Sequence, residues 1–376
     1  MDAGTGFDLI VIGGGSGAFA AAIKATELGK SVALCEKGVI GGTCLNRGCV
    51  PSKNLLRAAE IFNYSRRQPF KGITIARGSV DFAKLIEQKD ELLDELRQEK
   101  YLNILETNKN ISYFEGEASF LSGKKVQVGS NLLKGKEIII ATGARPQVAP
   151  FEGIEGVDFL NSTTAFELAE LPESMLIMGG RFVAVEMAQL FAGFGTEVTI
   201  LQRSSRLVPG EDEDISVALC KYLEEEGIKV ITGVKVLKVE QTRTKKLVTA
   251  EILGARQDFE GQTLLMATGN TPNTERLNLD AAGVETDGKG FIKTDEFMRT
   301  SAPDIFAVGD VVGRMPLVTV AAREGIVAAE NAFAGDERSM RTIDYEIIPH
   351  AIFTDPNVAS VGLKEEEGRA KGLNIV

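Results

Sequence analysis

The chain has 376 residues, and 42 basic against 53 acidic side chains leave a formal net charge of −11. With 44% hydrophobic and 25% charged residues it reads as a folded protein of two or three domains, which excludes disorder, collagen and coiled coil. The acidic balance argues against nucleic acid as a partner, four cysteines do not make a secreted disulfide scaffold, and any triad or multi-histidine metal site would have to be built around the single histidine, His350.

Leu9-Ile10-Val11-Ile12 reads as a strand buried on both faces. Gly13-Gly14-Gly15-Ser16-Gly17-Ala18 then turns into a small-residue helix that ends near Leu28-Gly29. Ser31-Val32-Ala33-Leu34-Cys35 is the next strand, closed by Glu36. This βαβ unit carries Gly13-x-Gly15-x-x-Ala18 at its turn: one glycine bends the chain, the second admits a pyrophosphate, and the small third residue packs helix on strand. Glu36 is placed for a ribose hydroxyl pair. The stretch from Phe7 to Ile23 is broken by Asp8 and by Gly13, Gly14, Gly15 and Gly17, so it is no membrane span. With no basic signal segment at Met1-Asp2-Ala3-Gly4, a cytoplasmic location away from any membrane is expected.

Gly41-Gly42-Thr43-Cys44-Leu45-Asn46-Arg47-Gly48-Cys49-Val50-Pro51-Ser52-Lys53 is the most specific run of the chain. On one regular helix the two cysteines would lie roughly 140° apart, so a redox pair needs the freedom of Gly48 and a new helix opening near Pro51. A helix N-terminus with Arg47 and Lys53 nearby would stabilise a thiolate. A zinc site lacks its second ligand pair, and Cys35 and Cys220 read as core thiols.

Further along, a helix is expected from about Phe82 to Leu105. Glu137 to Ile140 is a strand running into Ala141-Thr142-Gly143. The first grammar then repeats: Ser174 to Met178 as strand, Gly179-Gly180-Arg181-Phe182-Val183-Ala184 as turn, a helix through Phe194-Gly195, and Glu197 to Leu201 as second strand. Arg181 stands where the middle glycine belongs. The acid that would read a 2′-hydroxyl is replaced by Gln202-Arg203-Ser204-Ser205-Arg206, whose arginines suit a 2′-phosphate. NADPH is therefore expected, with NADH the alternative. Thr263 to Met266 leads into the matching turn at Ala267-Thr268-Gly269, and Val311 to Phe333 is expected as one helix after Val308-Gly309-Asp310.

Taken together, Gly13-Gly14-Gly15 with Glu36, the Cys44-x4-Cys49-x-Pro51-Ser52-Lys53 run, both Ala-Thr-Gly turns and Val308-Gly309-Asp310 resemble the pyridine nucleotide–disulphide oxidoreductases over essentially the whole chain. The resemblance implies an α/β fold of two Rossmann-like nucleotide-binding domains, one inserted in the other. FAD would occupy residues 1–149 and 272–340, NAD(P)H residues 150–271, and residues 341–376 would start a truncated α/β interface domain. It implies an FAD site at Gly13, Gly15, Ala18, Glu36, Lys37, Gly42, Thr43, Lys53, Thr142, Gly143 and Asp310, and an NADPH site at Gly179, Gly180, Glu186, Arg203 and Gly269. Cys49 would face the flavin, Cys44 would exchange with substrate, and Lys53 and Glu186 would pair beside the flavin's reactive nitrogen.

Within the family, Lys100-Tyr101-Leu102, the segment Phe182 to Ala192 and the missing acid after Leu201 are similar to mercuric reductases. That likeness implies Hg(II) as a substrate held by Cys44 and Cys49, Tyr101 on the substrate side, and a homodimer for the full-length protein. Cys44-Leu45-Asn46 also fits the dihydrolipoamide dehydrogenases, which stand as the alternative. A third expectation is a flavin-binding fragment without turnover, because neither a catalytic His–Glu pair nor a terminal cysteine pair is found before Val376. His350 is expected to be structural.

Overall fold

A computed structural model describes residues 5–66, 70–76 and 78–375. The chain is an α/β protein that divides into two compact units. One comprises Met1–Asn46, Leu92–Arg145 and Asn270–Tyr345, the other Arg47–Glu91, Pro146–Gly269 and Glu346–Val376. No helix among the described residues is long and apolar enough to cross a membrane.

In the first unit a parallel sheet runs in the order Ile111–Glu115, Val32–Glu36, Thr5–Ile12, Asn131–Ile140 and Ile305–Ala307. The long strand Asn131–Ile140 forks. Its last residues pair with Ile305–Ala307, while its first residues pair with the antiparallel Lys125–Val128, which in turn carries Ala118–Ser122. Alternate residues of the opening strand enter two different cores, Leu9 and Val11 on one face, Ile10 and Ile12 on the other. That is the continuous apolar run expected of a strand covered on both sides. Helix Ser16–Glu27 lies so close to helix Val318–Ala332 that a Cβ on Gly325 would overlap the carbonyl of Gly17.

The second unit repeats this plan. Its parallel sheet runs Lys229–Ile231, Glu197–Leu201, Ser174–Met178, Thr263–Met266 and Leu160–Asn161. A separate antiparallel sheet holds Lys235–Gln241, Lys246–Ile252 and Ala255–Gly261. Helix Cys49–Arg66 packs Leu55, Leu56 and Ala59 into the same core as Val185, Leu190 and Phe191 of helix Phe182–Phe194. That packing is why Arg47–Glu91 is compact with this unit and not with the first. Glu346–Val376 also joins it, so compactness divides the chain at different points from the boundaries expected above.

Two helices differ from expectation. The stretch from Phe82 to Leu105 is interrupted: an α-helix over Phe82–Arg97 widens into a π-turn at Gln98–Leu102 before Asn103–Thr107 resumes. The helix expected over Val311 to Phe333 begins only at Val318. Pro316 disfavours helical backbone at Met315, and the Leu317 N–H closes a tight turn on the Met315 carbonyl at 2.8 Å.

Candidate active site

The first nucleotide turn is built by steric necessity. Gly13 has φ +126°, its N–H donates to the Cys35 carbonyl at 2.7 Å, and a Cβ there would overlap the Ala141 carbonyl oxygen. A Cβ on Gly14 would sit 2.9 Å from the Glu36 side chain, so the acid lies directly beside the turn. Gly42 comes in from the cysteine loop, and a Cβ on it would reach 2.5 Å from the Gly15 Cα. The Gly41 N–H ties that loop down by donating to the Gly14 carbonyl at 2.8 Å. Helix Ser16–Glu27 starts here with Gly15 as its extended N-cap, no capping side chain and no acid in its first turn. Its free N–H groups and positive dipole end are thus open to a phosphate. This is a cradle that only glycines permit, and it fits a dinucleotide.

A cleft continues along the strand ends, lined in part by Gly13, Glu36, Lys37, Thr142 and Asn273. Lys37 is 3.0 Å from Glu117. Thr142 and Gly143 are held by Asn273, whose amide donates to the Thr142 carbonyl at 2.9 Å and whose N–H donates to the Gly143 carbonyl at 3.0 Å. Ala18 is buried and Thr43 exposed. Burial raises the carboxyl pKa of Asp310. Beneath its turn, Glu324 accepts the Gly309 N–H at 2.6 Å and the Tyr345 hydroxyl at 2.6 Å. Glu324 escaped the sequence reading because it is a lone acid on the buried face of a helix, with no motif around it.

Cys44 is half-buried on the short helix Gly42–Arg47, and Cys49 is exposed at the first position of helix Cys49–Arg66. Gly48 interrupts the two helices, as the redox reading requires, and Pro51 falls in the first turn, where its missing N–H breaks no bond. In the first unit Tyr101 places its hydroxyl 3.3 Å from the Ser16 hydroxyl and stacks edge-on against Phe19 at 4.7 Å. Burial raises the phenol pKa, the Ser16 hydrogen bond opposes this, and the neighbouring Cys44 adds to it. The phenol is therefore a neutral O–H beside that thiol.

In the second unit Lys53 and Glu186, 133 residues apart, meet at 2.7 Å. Glu186 is buried, and its other oxygen accepts the Phe353 N–H at 2.9 Å. The Lys53 ammonium also lies 4.7 Å from the centre of the Phe353 ring. It is thus committed to this pair. Gln189, one turn beyond Glu186, grips the Asp355 backbone from both sides: its carbonyl accepts the Asp355 N–H at 2.7 Å and its amide donates to the Asp355 carbonyl at 2.9 Å. A cavity of about 250 Å³ opens beside Lys53, Gln189 and Phe353. Phe353 and Gln189 carry no sequence signal, since a backbone N–H and a ring face become partners only through the fold.

The second turn copies the first. Gly179 has φ +124°, its N–H donates to the Leu201 carbonyl at 3.0 Å, and a Cβ would overlap the Ala267 carbonyl oxygen. A Cβ on Gly180 would sit 2.8 Å from Gln202, so Gln202, not Arg203, occupies the place that Glu36 holds in the first unit. Arg203 is exposed one residue further on. Arg206 is engaged with the carbonyls of Pro209 at 3.3 Å and Glu211 at 3.1 Å. Arg181 is the exposed, extended N-cap of helix Phe182–Phe194, so its side chain leaves the turn open. Gly269 stands at the end of the second Ala-Thr-Gly turn, its carbonyl accepting the Gln147 N–H at 2.8 Å.

The remaining cysteines behave as core thiols: Cys35 is buried and pushed up to about 12 by burial and then by Glu36, and Cys220 is raised chiefly by burial. His350 places Nε2 2.8 Å from Glu211 and 2.9 Å from the Ser360 hydroxyl.

The profile of a family described as pyridine nucleotide-disulphide oxidoreductase matches residues 7–325. The chain is 44% identical to a mercuric reductase of Staphylococcus aureus over 369 residues, covering 98% of this chain and 67% of that protein. It is 42% identical to a mercuric reductase of Lysinibacillus sphaericus, again over 98% of this chain and 67% of the relative. A dihydrolipoyl dehydrogenase of Bacillus subtilis is 35% identical over 99% of this chain and 80% of its own length. Among solved structures, the HOCl-induced flavoprotein disulfide reductase RclA of Escherichia coli superposes with a TM-score of 0.86 at 29% identity, covering 98% of this chain and 80% of that one.

Proposed function

The chain belongs to the pyridine nucleotide-disulphide oxidoreductase family, and from that premise we propose that it carries electrons from NADPH through FAD to Cys44 and Cys49 and thence to Hg(II). FAD, when bound, supplies the two-electron relay between a nicotinamide and a dithiol. We assign it to the Gly13 turn, with Glu36 for its ribose and Asp310 for its chain, and assign the nicotinamide nucleotide to the Gly179 turn. The Lys53–Glu186 pair, fixed by Phe353, would hold one positive charge in a set position beside the reacting ring.

The observation that carries the choice of substrate is Tyr101. A half-buried phenol held by Ser16 next to Cys44 would add an oxygen donor beside two thiolates, the ligands that suit a soft cation. The two thiolates would bind Hg(II) as substrate, and reduction would balance as NADPH + Hg(II) → NADP⁺ + H⁺ + Hg(0). The identity to mercuric reductases supports this reading.

The test is an anaerobic assay of the flavin-loaded protein with NADPH and thiol-complexed Hg(II), scored by mercury vapour released per NADPH consumed. A ratio near one is expected. Turnover of NADH with lipoamide and no vapour would replace the proposal by the dihydrolipoyl dehydrogenase reading. We further propose a homodimer, for which the exposed Ile347, Val361 and Leu363 provide apolar surface; light scattering checks the mass.

A further inference from the structure

The six-residue helix Gly42–Arg47 that carries Cys44 is far too short to hold itself together, since isolated helices below about 12–15 residues are marginal in water. Its position must come from ties to its surroundings, and a set of these converges on one side chain. Asn46 donates its amide hydrogens to the carbonyls of Val39 at 3.2 Å, Ile40 at 3.0 Å and Gly42 at 3.0 Å. Its oxygen receives the Arg97 guanidinium twice, from Nη2 at 2.9 Å and from Nε at 3.2 Å. Asn46 thus binds the loop before the helix and is itself gripped by Arg97, which also contacts Asp94.

Arg97 ends the regular part of its helix, and the π-turn Gln98–Leu102 follows at once. Residues four apart lie on one face of an α-helix, offset by about 40°, and stay on one face where the chain widens into a π-turn. Arg97 and Tyr101 can therefore both face the cysteine loop. Arg97 reaches Asn46 at the end of the Cys44 helix, and Tyr101 reaches Ser16 beside Cys44. The two groups thus stand about one turn apart against one target.

We infer that Arg97 and Asn46 form a clamp that fixes the position of Cys44 for thiol exchange, so that both are positioning residues for the substrate half of the reaction. This rests on the proposed role of Cys44 as the exchanging thiol. Neither residue touches substrate; the effect is transmitted through the helix. Misplacing a reacting group by about 1 Å can slow a step on the order of a hundredfold, and a clamp with several hydrogen bonds is sufficient to prevent such a shift.

The experiment uses the flavin-loaded chain reduced with NADPH, and follows alkylation of Cys44 by iodoacetamide across pH, with the labelled thiol located by mass spectrometry. In Arg97→Ala the rate at Cys44 should fall about tenfold or more, with flavin content and the rate of flavin reduction by NADPH unchanged. Arg97→Lys keeps the charge but cannot span the fork, and should stay slow at every pH. Asn46→Asp keeps an acceptor for Arg97 while losing the three carbonyl bonds, and should be slow as well. If Arg97→Ala loses flavin, the Arg97→Lys protein decides. A wild-type alkylation rate in Arg97→Ala, or full recovery in Arg97→Lys, overturns the clamp. If label in the wild-type protein reaches Cys49 ahead of Cys44, it is the assigned roles of the thiols that fail, and the rate at Cys44 still reports on the clamp.

Discussion

The turns at Gly13 and Gly179 are alike almost bond for bond. Each glycine N–H donates to a carbonyl at the end of the neighbouring strand, Cys35 or Leu201, each lies against the carbonyl of an Ala-Thr-Gly turn, and each is followed by a helix with no acid in its first turn. Two residues on, the likeness ends. In the first unit Gly15 is covered by Gly42, and Glu36 closes the side. In the second, Arg181 faces solvent and the closing residue is Gln202. A covered cradle suits a group that stays bound, and an open one suits a nucleotide that arrives and leaves with each turnover. On the proposed assignment, the shared glycines would set where phosphate goes, while the neighbours of the turn would set how long it stays and which ribose it accepts.

The severest way to break this comparison is to add one methyl group to each turn. Gly13→Ala should abolish flavin binding, seen as a colourless protein, because the Cβ meets backbone that cannot yield and the residue is held at positive φ, a strain of about 1–3 kcal/mol before the clash is counted. Gly179→Ala should leave the protein yellow and reduce its rate of flavin reduction by NADPH at least a hundredfold, read by stopped-flow absorbance. Loss of flavin in both variants would show that the two sites do not act separately.

A finer test exchanges the side residue. Gln202→Glu puts in the second fold what Glu36 supplies in the first, and should shift the ratio of kcat/KM for NADPH over NADH about tenfold or more toward NADH. Arg203→Ala should move the ratio in the same direction by about tenfold, as expected for one charge-assisted bond of about 1.5–3 kcal/mol partly exposed to water. Arg206→Ala should change it less, because its guanidinium is already bound to carbonyls.

The smallest effect concerns a pair of equivalent strand positions, Glu137 and Thr263, which lie opposite Leu9 and Met175. Glu137 is raised to about 7 by burial and then by Asp304, with Lys124 opposing. Because the folded value lies above the ordinary 4.5, the ionised form disfavours the fold, and stability falls as pH rises from about 4.5 through about 7. Glu137→Gln should therefore melt like the parent at pH 4.5 and gain about 1 kcal/mol at pH 8, the full shift being reduced by solvent at this half-buried site. Equal melting differences at both pH values would refute the assignment.

What the sequence disclosed follows from range. Both βαβ units were legible because strand, glycine turn and helix lie within about thirty residues and each carries its own periodicity. The Cys44–Lys53 run was legible for the same reason. Lys53 and Glu186 came only through resemblance, as nothing local links residues 133 positions apart. Phe353 and Gln189 were hidden because their contacts join a side chain to the backbone of a distant segment, Glu186 to the Phe353 N–H and Gln189 to Asp355. The π-turn at Gln98–Leu102 was invisible to a pattern search that assumes 3.6 residues per turn, and the late start of helix Val318–Ala332 was written in Pro316 but outweighed by the apolar pattern. Gln202 could have been found by laying the second unit over the first, residue for residue from the turn.

The fifth strand of each parallel sheet comes from opposite directions along the chain. In the second unit it is Leu160–Asn161, which precedes the glycine turn; in the first it is Ile305–Ala307, which follows everything else. On the ribosome, then, the second sheet has all of its strands once Thr263–Met266 has emerged, and helix Cys49–Arg66 is already waiting to cover it. The first sheet, begun at Thr5, stays one strand and one helix short until Val318–Ala332 is made. The unit that starts first is finished last: its glycine turn has its neighbours once Ala141 is made, but the sheet beneath it waits for Ile305–Ala307.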